Sequence, residues 1–175
     1  ITSPQARRDV QELRAASSAI LSTSATVLAD DPSLTVRWDE LSSETQQIYP
    51  RDTLRQPLRI ILDSQNRVTP QHRVVQQPGM TWLARQQPDD RVWPAGVEQL
   101  SFPLHGGGID LVVMMMQLAK RQVNSIWVEA GAQLAGALLQ AGLVDELVLY
   151  IAPKLLGDNA RGLCQLPGLT HLADA

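Results

Sequence analysis

The chain has a single cysteine, Cys164, so it has no intrachain disulfide, and its composition suits a reducing cytoplasm. Histidine is scarce too. His72, His105 and His171 show no metal-ligand spacing, and a zinc site on paired cysteines is excluded within the chain. Basic charge is not in excess: Lys plus Arg number 15 against 18 Asp plus Glu, a formal charge of −3. That balance argues against a nucleic-acid or anionic-membrane partner, while local basic clusters can still take a phosphorylated small molecule. Long apolar runs are also missing. The most apolar stretch, Ile109 to Leu118, carries Asp110 and Gln117 and falls well short of the ~20 residues a spanning helix needs. No repeat or low-complexity tract interrupts the 175 residues, about one domain's length. Ile1 is not an initiator and Leu172 to Ala175 closes no element, so a fragment of a longer protein is expected, folded as one domain over 1–175.

Hydrophobic residues make up 44%, ample for a core. The most informative stretch is Ser125-Ile126-Trp127-Val128-Glu129-Ala130-Gly131-Ala132-Gln133-Leu134-Ala135-Gly136-Ala137-Leu138-Leu139, an apolar strand turning through small residues into a helix. Its first helical turn would present unpaired N–H groups and partial positive charge, a seat for phosphate. Small residues would let a pyrophosphate approach the backbone, or would only let helix and sheet pack closely. Glu129 falls at the strand's carboxyl end, where open α/β sheets bind ligands.

Elsewhere the pattern alternates. Ser3-Pro4 opens a helix over 5–16 with Val10 and Leu13 facing inward. Ala19 to Leu21 reads as a buried strand and Thr23 to Ala29 as a short helix, ended by Asp30-Asp31-Pro32. Arg37 to Pro57 has no period and reads as an excursion loop. Leu58 to Leu62 is a strand, Asp63 to Asn66 its turn, and Met80 to Ala84 a weaker strand. Gln86 to Gly96 is a loop, and Gln99 to Leu104 a further strand. Gly106 to Gly108 lack the Lys-Ser or Lys-Thr of a phosphate loop, which leaves a flexible connector. A helix over 109–121 is apolar enough to be buried on most sides, its methionines packing in a core rather than lining a cofactor. A strand over 125–129, a helix over 132–141 and a strand from Glu146 to Ala152 follow. Leu147 to Ile151 would suit a buried central strand or a subunit interface. This rhythm predicts an α/β fold with a largely parallel sheet and helices on both faces.

Two runs carry a resemblance. Ser22-Thr23-Ser24-Ala25-Thr26-Val27-Leu28-Ala29-Asp30-Asp31-Pro32-Ser33-Leu34-Thr35-Val36-Arg37 is similar to the signature of the reductase domain of the bifunctional riboflavin-biosynthesis deaminase-reductase. Glu129 to Leu139, Gly142-Leu143-Val144-Asp145-Glu146 and Ala152-Pro153-Lys154-Leu155-Leu156-Gly157 match the same family in order and spacing. The resemblance implies a dihydrofolate-reductase-like three-layer fold with a mixed, mostly parallel sheet. It also implies NADPH-dependent reduction of the ribosyl group of 5-amino-6-(5-phosphoribosylamino)uracil to ribityl.

What it implies residue by residue follows the matching positions. Asp30 would manage the proton at the reacting sugar, as general acid if burial raises its pKa, and would also touch the cofactor. Read without the resemblance, Asp30 and Asp31 make a turn before Pro32. Arg14 and Arg37 match ligands of the substrate phosphate, Leu34 a backbone contact and Glu129 a contact to pyrimidine or sugar. Thr26, Ser64 and the turn Gly131, Ala132, Gln133, Leu134, Ala135, Gly136 and Ala137 match cofactor positions. Ser64 would meet the adenosine 2′-phosphate, or cap its own turn. Asp63 beside it argues for unphosphorylated NAD, and Arg67 offsets it. Ala130 departs from the family, where a second glycine is common.

The family's terminal strands, and its zinc deaminase half with His-x-Glu and Pro-Cys-x-x-Cys signatures, are expected outside this chain. No metal is therefore expected within it. A homodimer is expected. The competing readings are a sister reductase of the same fold, acting on the non-deaminated pyrimidine or a folate, and a non-catalytic module that binds nucleotide or mediates oligomer packing.

Overall fold

A computed structural model describes residues 3–171 and 173, whose contacts gather into two compact units, Ile1–Glu129 and Ala130–Ala175. The first opens with α1 (Pro4–Ala16), where Ser3 Oγ accepts from Ala6 N at 3.1 Å and Pro4 occupies the first turn. Its inner face is Gln11 and Ala15, both buried, whereas Val10 and Leu13, expected there, are only half-buried. Gln11 turns inward because its amide oxygen accepts Arg37 N at 2.8 Å.

Strand β1 (Ala19–Thr23) is buried along four of its five residues and runs into α2 (Ser24–Asp30), capped by Thr23. The helix stops at Asp31, left-handed at φ 40, ahead of Pro32 as expected. The stretch 37–57 is more ordered than an excursion loop: a 3-10 turn over Trp38–Glu40 precedes α3 (Ser43–Ile48). Helices this short and polar carry no apolar stripe, so periodicity does not reveal them. Glu12 of α1 holds them in place, accepting from Ser42 N at 2.7 Å and from the Thr45 hydroxyl. Burial pushes the Glu12 carboxyl up, but these bonds and Arg8 hold it below its ordinary value.

β2 (Leu58–Leu62), the small helix α4 (Arg73–Gln76), β3 (Thr81–Arg85) and β4 (Val97–Ser101) follow. The strand expected over 99–104 is divided. Leu104 joins β5 (Leu104–His105), which pairs antiparallel with β6 (Gly108–Ile109). Gly106 and Gly107, at φ 59 and 84, supply the two left-handed residues of a tight hairpin, so the expected flexible connector is a turn. Helix α5 (Leu111–Lys120) is capped by Asp110. It buries Met114 and Leu118 but exposes Val112 and Met116, so it is amphipathic rather than buried on most sides. β7 (Ile126–Val128) completes the sheet.

The strands lie in the order β4-β3-β2-β1-β7, and every neighbouring pair is parallel. The mixed sheet expected from the resemblance is thus wholly parallel in these five strands, with antiparallel pairing confined to the hairpin. Register places Ile20, Arg59, Thr81, Val97 and Trp127 in one row. On that face Ile20, Ile61 and Leu83 form a core with Val27 of α2 and Val74 and Val75 of α4. On the other face, Arg121 after α5 stacks 5.1 Å from the Trp82 ring centroid and pairs with Glu98 at 2.8 Å. Helices therefore cover both faces, as expected.

Arg59 is fully buried, with no carboxylate partner among the described residues. Burial lowers its pKa, and Thr81 Oγ1, Pro78 O and Gln77 O accept from it at 2.9, 3.0 and 3.2 Å. It ties β2 to the α4–β3 connection.

The second unit contains α6 (Ala132–Gln140), with Leu134, Gly136 and Leu138 buried. Gly136 lies against backbone: an added Cβ would come within 1.9 Å of Gln165 O, so at this position the small residue serves close packing. Residues 146–152, expected as a strand, are not one, and Leu147, Leu149 and Ile151 are exposed. A strand needs a neighbour to pair its backbone, and among the described residues of this unit no such ladder forms. No helix among the described residues is long and apolar enough to cross a membrane.

Candidate functional site

The strand order has one reversal. From β1 the chain builds outward through β2, β3 and β4, then returns to β1's other side with β7. In an open α/β sheet, ligands bind at the carboxyl ends beside such a switch point. Here those ends are Thr23 and Glu129.

Glu129 is the functional candidate there that is bonded through both backbone and side chain. Its amide donates to Leu21 O at 2.9 Å and its carbonyl accepts from Ser22 Oγ at 2.7 Å, so the backbone continues the β1 pairing past the end of β7. Arg14, on the last turn of α1, meets the carboxylate in a bidentate fork: Nε to Oε1 at 2.6 Å and Nη2 to Oε2 at 2.7 Å. Arg14 Nη1 also donates to Thr35 O at 2.8 Å. The pair is largely but not wholly enclosed, its side chains 12% and 23% exposed.

Sequence reasoning gave Arg14 and Glu129 separate jobs, and the fold joins them across 115 residues. It missed two partners. Trp127 Nε1 donates to Glu129 Oε1 at 2.9 Å, and the signal was its position two residues earlier on a strand, which puts both on one face. The Thr35 carbonyl left no such signal. It follows Leu34, which is buried and left-handed at φ 49, a conformation costly for a bulky side chain. Arg14 therefore bonds the backbone immediately after a strained residue.

Arg37 lies apart from that cluster. Its guanidinium, with the side chain 58% exposed, pairs with Glu40 at 2.9 Å. Asp30 ends α2 exposed, with no hydrogen-bond or ion-pair partner for its side chain among the described residues. The burial invoked to make it an acid is not a property of this surface.

Thr26 is half-buried in the first turn of α2, its amide donating to Thr23 Oγ1 at 3.2 Å. Ser64 is half-buried in the turn after β2. Its neighbour Asp63 is fully buried: Oδ1 accepts from Arg67 N at 2.8 Å, and Oδ2 accepts from Val68 N at 3.1 Å and Arg85 Nη2 at 2.9 Å. Arg85, also fully buried, binds Asp89 and Gln99 through Nη1, both at 2.6 Å, and stacks 4.8 Å from the Trp93 ring centroid. Burial pushes the Asp89 carboxyl up, but bonds from Trp93, Arg85 and the Arg91 amide hold it below its ordinary value. In the second unit, Gly131 precedes α6 with open space where a Cβ would stand, and no side chain caps the helix. Ala132 and Ala137 are half-buried and Gln133 is exposed. Among the described residues no cluster of His, Cys, Asp and Glu could hold a metal.

Comparison with known proteins gives one consistent result. The family model described as RibD C-terminal domain matches residues 1–175. The chain is 72% identical over its whole length to riboflavin biosynthesis protein RibD of Escherichia coli, of which it covers 48%. It is 43% identical, over 95% of its length, to a 5-amino-6-(5-phosphoribosylamino)uracil reductase of Buchnera aphidicola, of which it covers 80%. Among solved structures it resembles Acinetobacter baumannii RibD, with a TM-score of 0.76, 34% identity, and coverage of 94% of this chain and 42% of that one. The chain thus spans about half the length of the RibD relatives it matches.

Proposed function

The chain belongs to the RibD C-terminal domain family, and from that premise we propose that it reduces the ribosyl group of 5-amino-6-(5-phosphoribosylamino)uracil to ribityl with NADPH. The observation that carries the reading is the Arg14–Glu129 pair at the switch point, with the Thr23–Thr26 cap on the adjoining strand end. A relative of which this chain covers 80% bears the name of that activity.

Two features fit the cofactor. Gly131 has open space where a Cβ would stand and no side chain caps α6, which suits a pyrophosphate at the helix's first N–H groups. Inward burial of Asp63 removes the carboxylate that would favour an unphosphorylated ribose. When bound, the cofactor supplies a hydride to C1′ of the sugar.

The chain's own groups have definite tasks in this reading. As the bond from C1′ to the ring oxygen breaks, that oxygen takes a proton, and Asp30 is the group assigned to manage it, enclosed by bound ligands rather than by protein. Three of Arg14's five N–H donors hold Glu129 and Thr35, which leaves outer donors on Nη1 and Nη2 for the substrate phosphate. Glu129, oriented by Arg14 and Trp127, faces the polar pyrimidine or sugar, and Leu34 adds its backbone. Arg37, already exposed, is the second phosphate ligand once it leaves Glu40. The same reading makes 1–175 a single reductase domain working in the cytoplasm as a homodimer, with zinc chemistry left to a fused deaminase half of the longer protein.

The test is NADPH oxidation with the deaminated phosphoribosylaminopyrimidine, with the non-deaminated compound as competitor. Asp30→Asn should lower turnover by roughly 10²–10⁴-fold, the range for a general acid or base, while NADPH affinity stays. Unchanged turnover removes Asp30 from the chemistry, preference for the non-deaminated compound favours the sister reductase, and absence of NADPH binding ends the reductase reading.

A further inference from the structure

We infer that Gln56 is a positioning residue for the Arg14–Glu129 pair, acting through the peptide that joins Thr35 to Val36. Its effect on turnover rests on the reductase reading above; its effect on Arg14 does not. Residues 31–37 lie in neither helix nor strand. From Leu34 to the Arg37 amide, no backbone group bonds another backbone group among the described residues. Leu34 and Val36 are buried and Thr35 half-buried, so these groups need protein partners. Side chains take the place of a neighbouring strand.

Gln56, two residues before β2, bonds Val36 on both sides: Oε1 accepts from Val36 N at 2.8 Å and Nε2 donates to Val36 O at 3.1 Å. A carboxamide carries the donor and acceptor of a peptide group, so one side chain does for Val36 what a strand neighbour would. Fully buried Gln11 accepts from Arg37 N at 2.8 Å. Arg14, three residues further along the same face of α1, donates through Nη1 to Thr35 O at 2.8 Å. Thr35 O and Val36 N belong to one planar peptide unit, so Arg14 and Gln56 grip opposite edges of the same plate. The guanidinium is itself a rigid plane whose Nε and Nη2 are committed to Glu129. Releasing the plate at Gln56 frees the third bond that fixes how Arg14 aims its outer donors.

The experiment compares the parent with Gln56→Ala, Gln56→Glu and Arg55→Ala. Arg55 is the control: it adjoins Gln56 but donates to Ser17 O and Ser18 O rather than to residues 34–37. Well below the melting temperature, Gln56→Ala should raise KM for the pyrimidine about 3- to 10-fold, the worth of one hydrogen bond. Its kcat and its KM for NADPH should stay within about twofold, the pattern of lost binding to a part of the substrate that does not react. Gln56→Glu keeps the acceptor for Val36 N, so it should fall between Gln56→Ala and the parent, and it carries the comparison if Gln56→Ala does not fold. Arg55→Ala should match the parent. Proton exchange at the Arg14 Nε–H, followed by NMR without substrate, should speed up in Gln56→Ala and not in Arg55→Ala. If the parent turns over and Gln56→Ala lowers kcat with KM unmoved, only melts earlier, or is matched by Arg55→Ala, the positioning role is wrong and the reductase reading stands. If the parent shows no turnover, that reading falls, and the Arg14 exchange rate decides this inference: a faster rate in Gln56→Ala keeps it and an unchanged rate ends it.

Discussion

The carboxyl ends of β2 and β7 are built from the same parts and end up different. Each strand is followed by an acidic residue, Asp63 or Glu129, and each carboxylate is bonded to an arginine from a distant element. At β2 both partners are 0% exposed, and two backbone amides close over the carboxylate. At β7 the partners are 12% and 23% exposed, and the other groups that bind them are an indole and a strained loop carbonyl. The first arrangement shapes a loop and the second presents a charge. An acidic residue at a strand end is therefore no guide to ligand contact until its burial is known.

The sharpest way to break this comparison is to remove each carboxylate. Asp63→Ala takes from buried Arg85 one of its two carboxylates, leaving Asp89, and strips the Arg67 and Val68 amides of their acceptor; breaking a buried pair costs about 3–5 kcal/mol. Denaturant unfolding should show a loss of that size. If the variant instead folds normally and accepts NADH better, Asp63 reads the cofactor and the two ends are alike. Glu129→Gln keeps an acceptor for Arg14 and Trp127, so stability should fall by less than about 1.5 kcal/mol, the usual net worth of a hydrogen bond. Its effect belongs in kcat/KM for the pyrimidine, a drop of roughly 10–100-fold or about 1.4–2.7 kcal/mol. A large stability loss with normal kinetics would make Glu129 another Asp63.

How much of this the sequence carried depended on range. β1, β2, β7, α1 and α6 were legible because apolar runs, caps and small residues act over a few positions. The β7-to-α6 stretch showed its strand and helix, yet Gly136, suited on paper to a pyrophosphate, is taken up by packing against Gln165. The site was legible only as a set of names. That Arg14 and Glu129 meet depends on β7 returning beside β1, and nothing local to either residue encodes that return. The burial of Asp63 is hidden for the same reason: its partner Arg85 lies on the next strand, 22 residues away. Leu147 to Ile151 is a continuous apolar run that reads as a strand, but without a paired neighbour among the described residues of its unit the run leaves apolar side chains in solvent.

Acid offers the gentlest test of the contrast, because Asp89 belongs to the closed β2 end. Its side chain is 15% exposed, and its folded-state pKa lies below the ordinary aspartate value, with Trp93 and Arg85 holding the charged form against the opposing effect of burial. A group depressed in this way stabilises the fold above its unfolded value, near pH 4, and loses that contribution as pH falls through the lower folded value. The parent should therefore lose this residue's contribution to stability as pH falls below about 4. Asp89→Asn keeps the shape and removes the titration, so its stability should be lower than the parent's at pH 7 and flatter through that window, measured by chemical unfolding at stepped pH. An unchanged acid slope would mean that Arg85 is held by Asp63 and Gln99 alone, and that the closed end is narrower than the network drawn here.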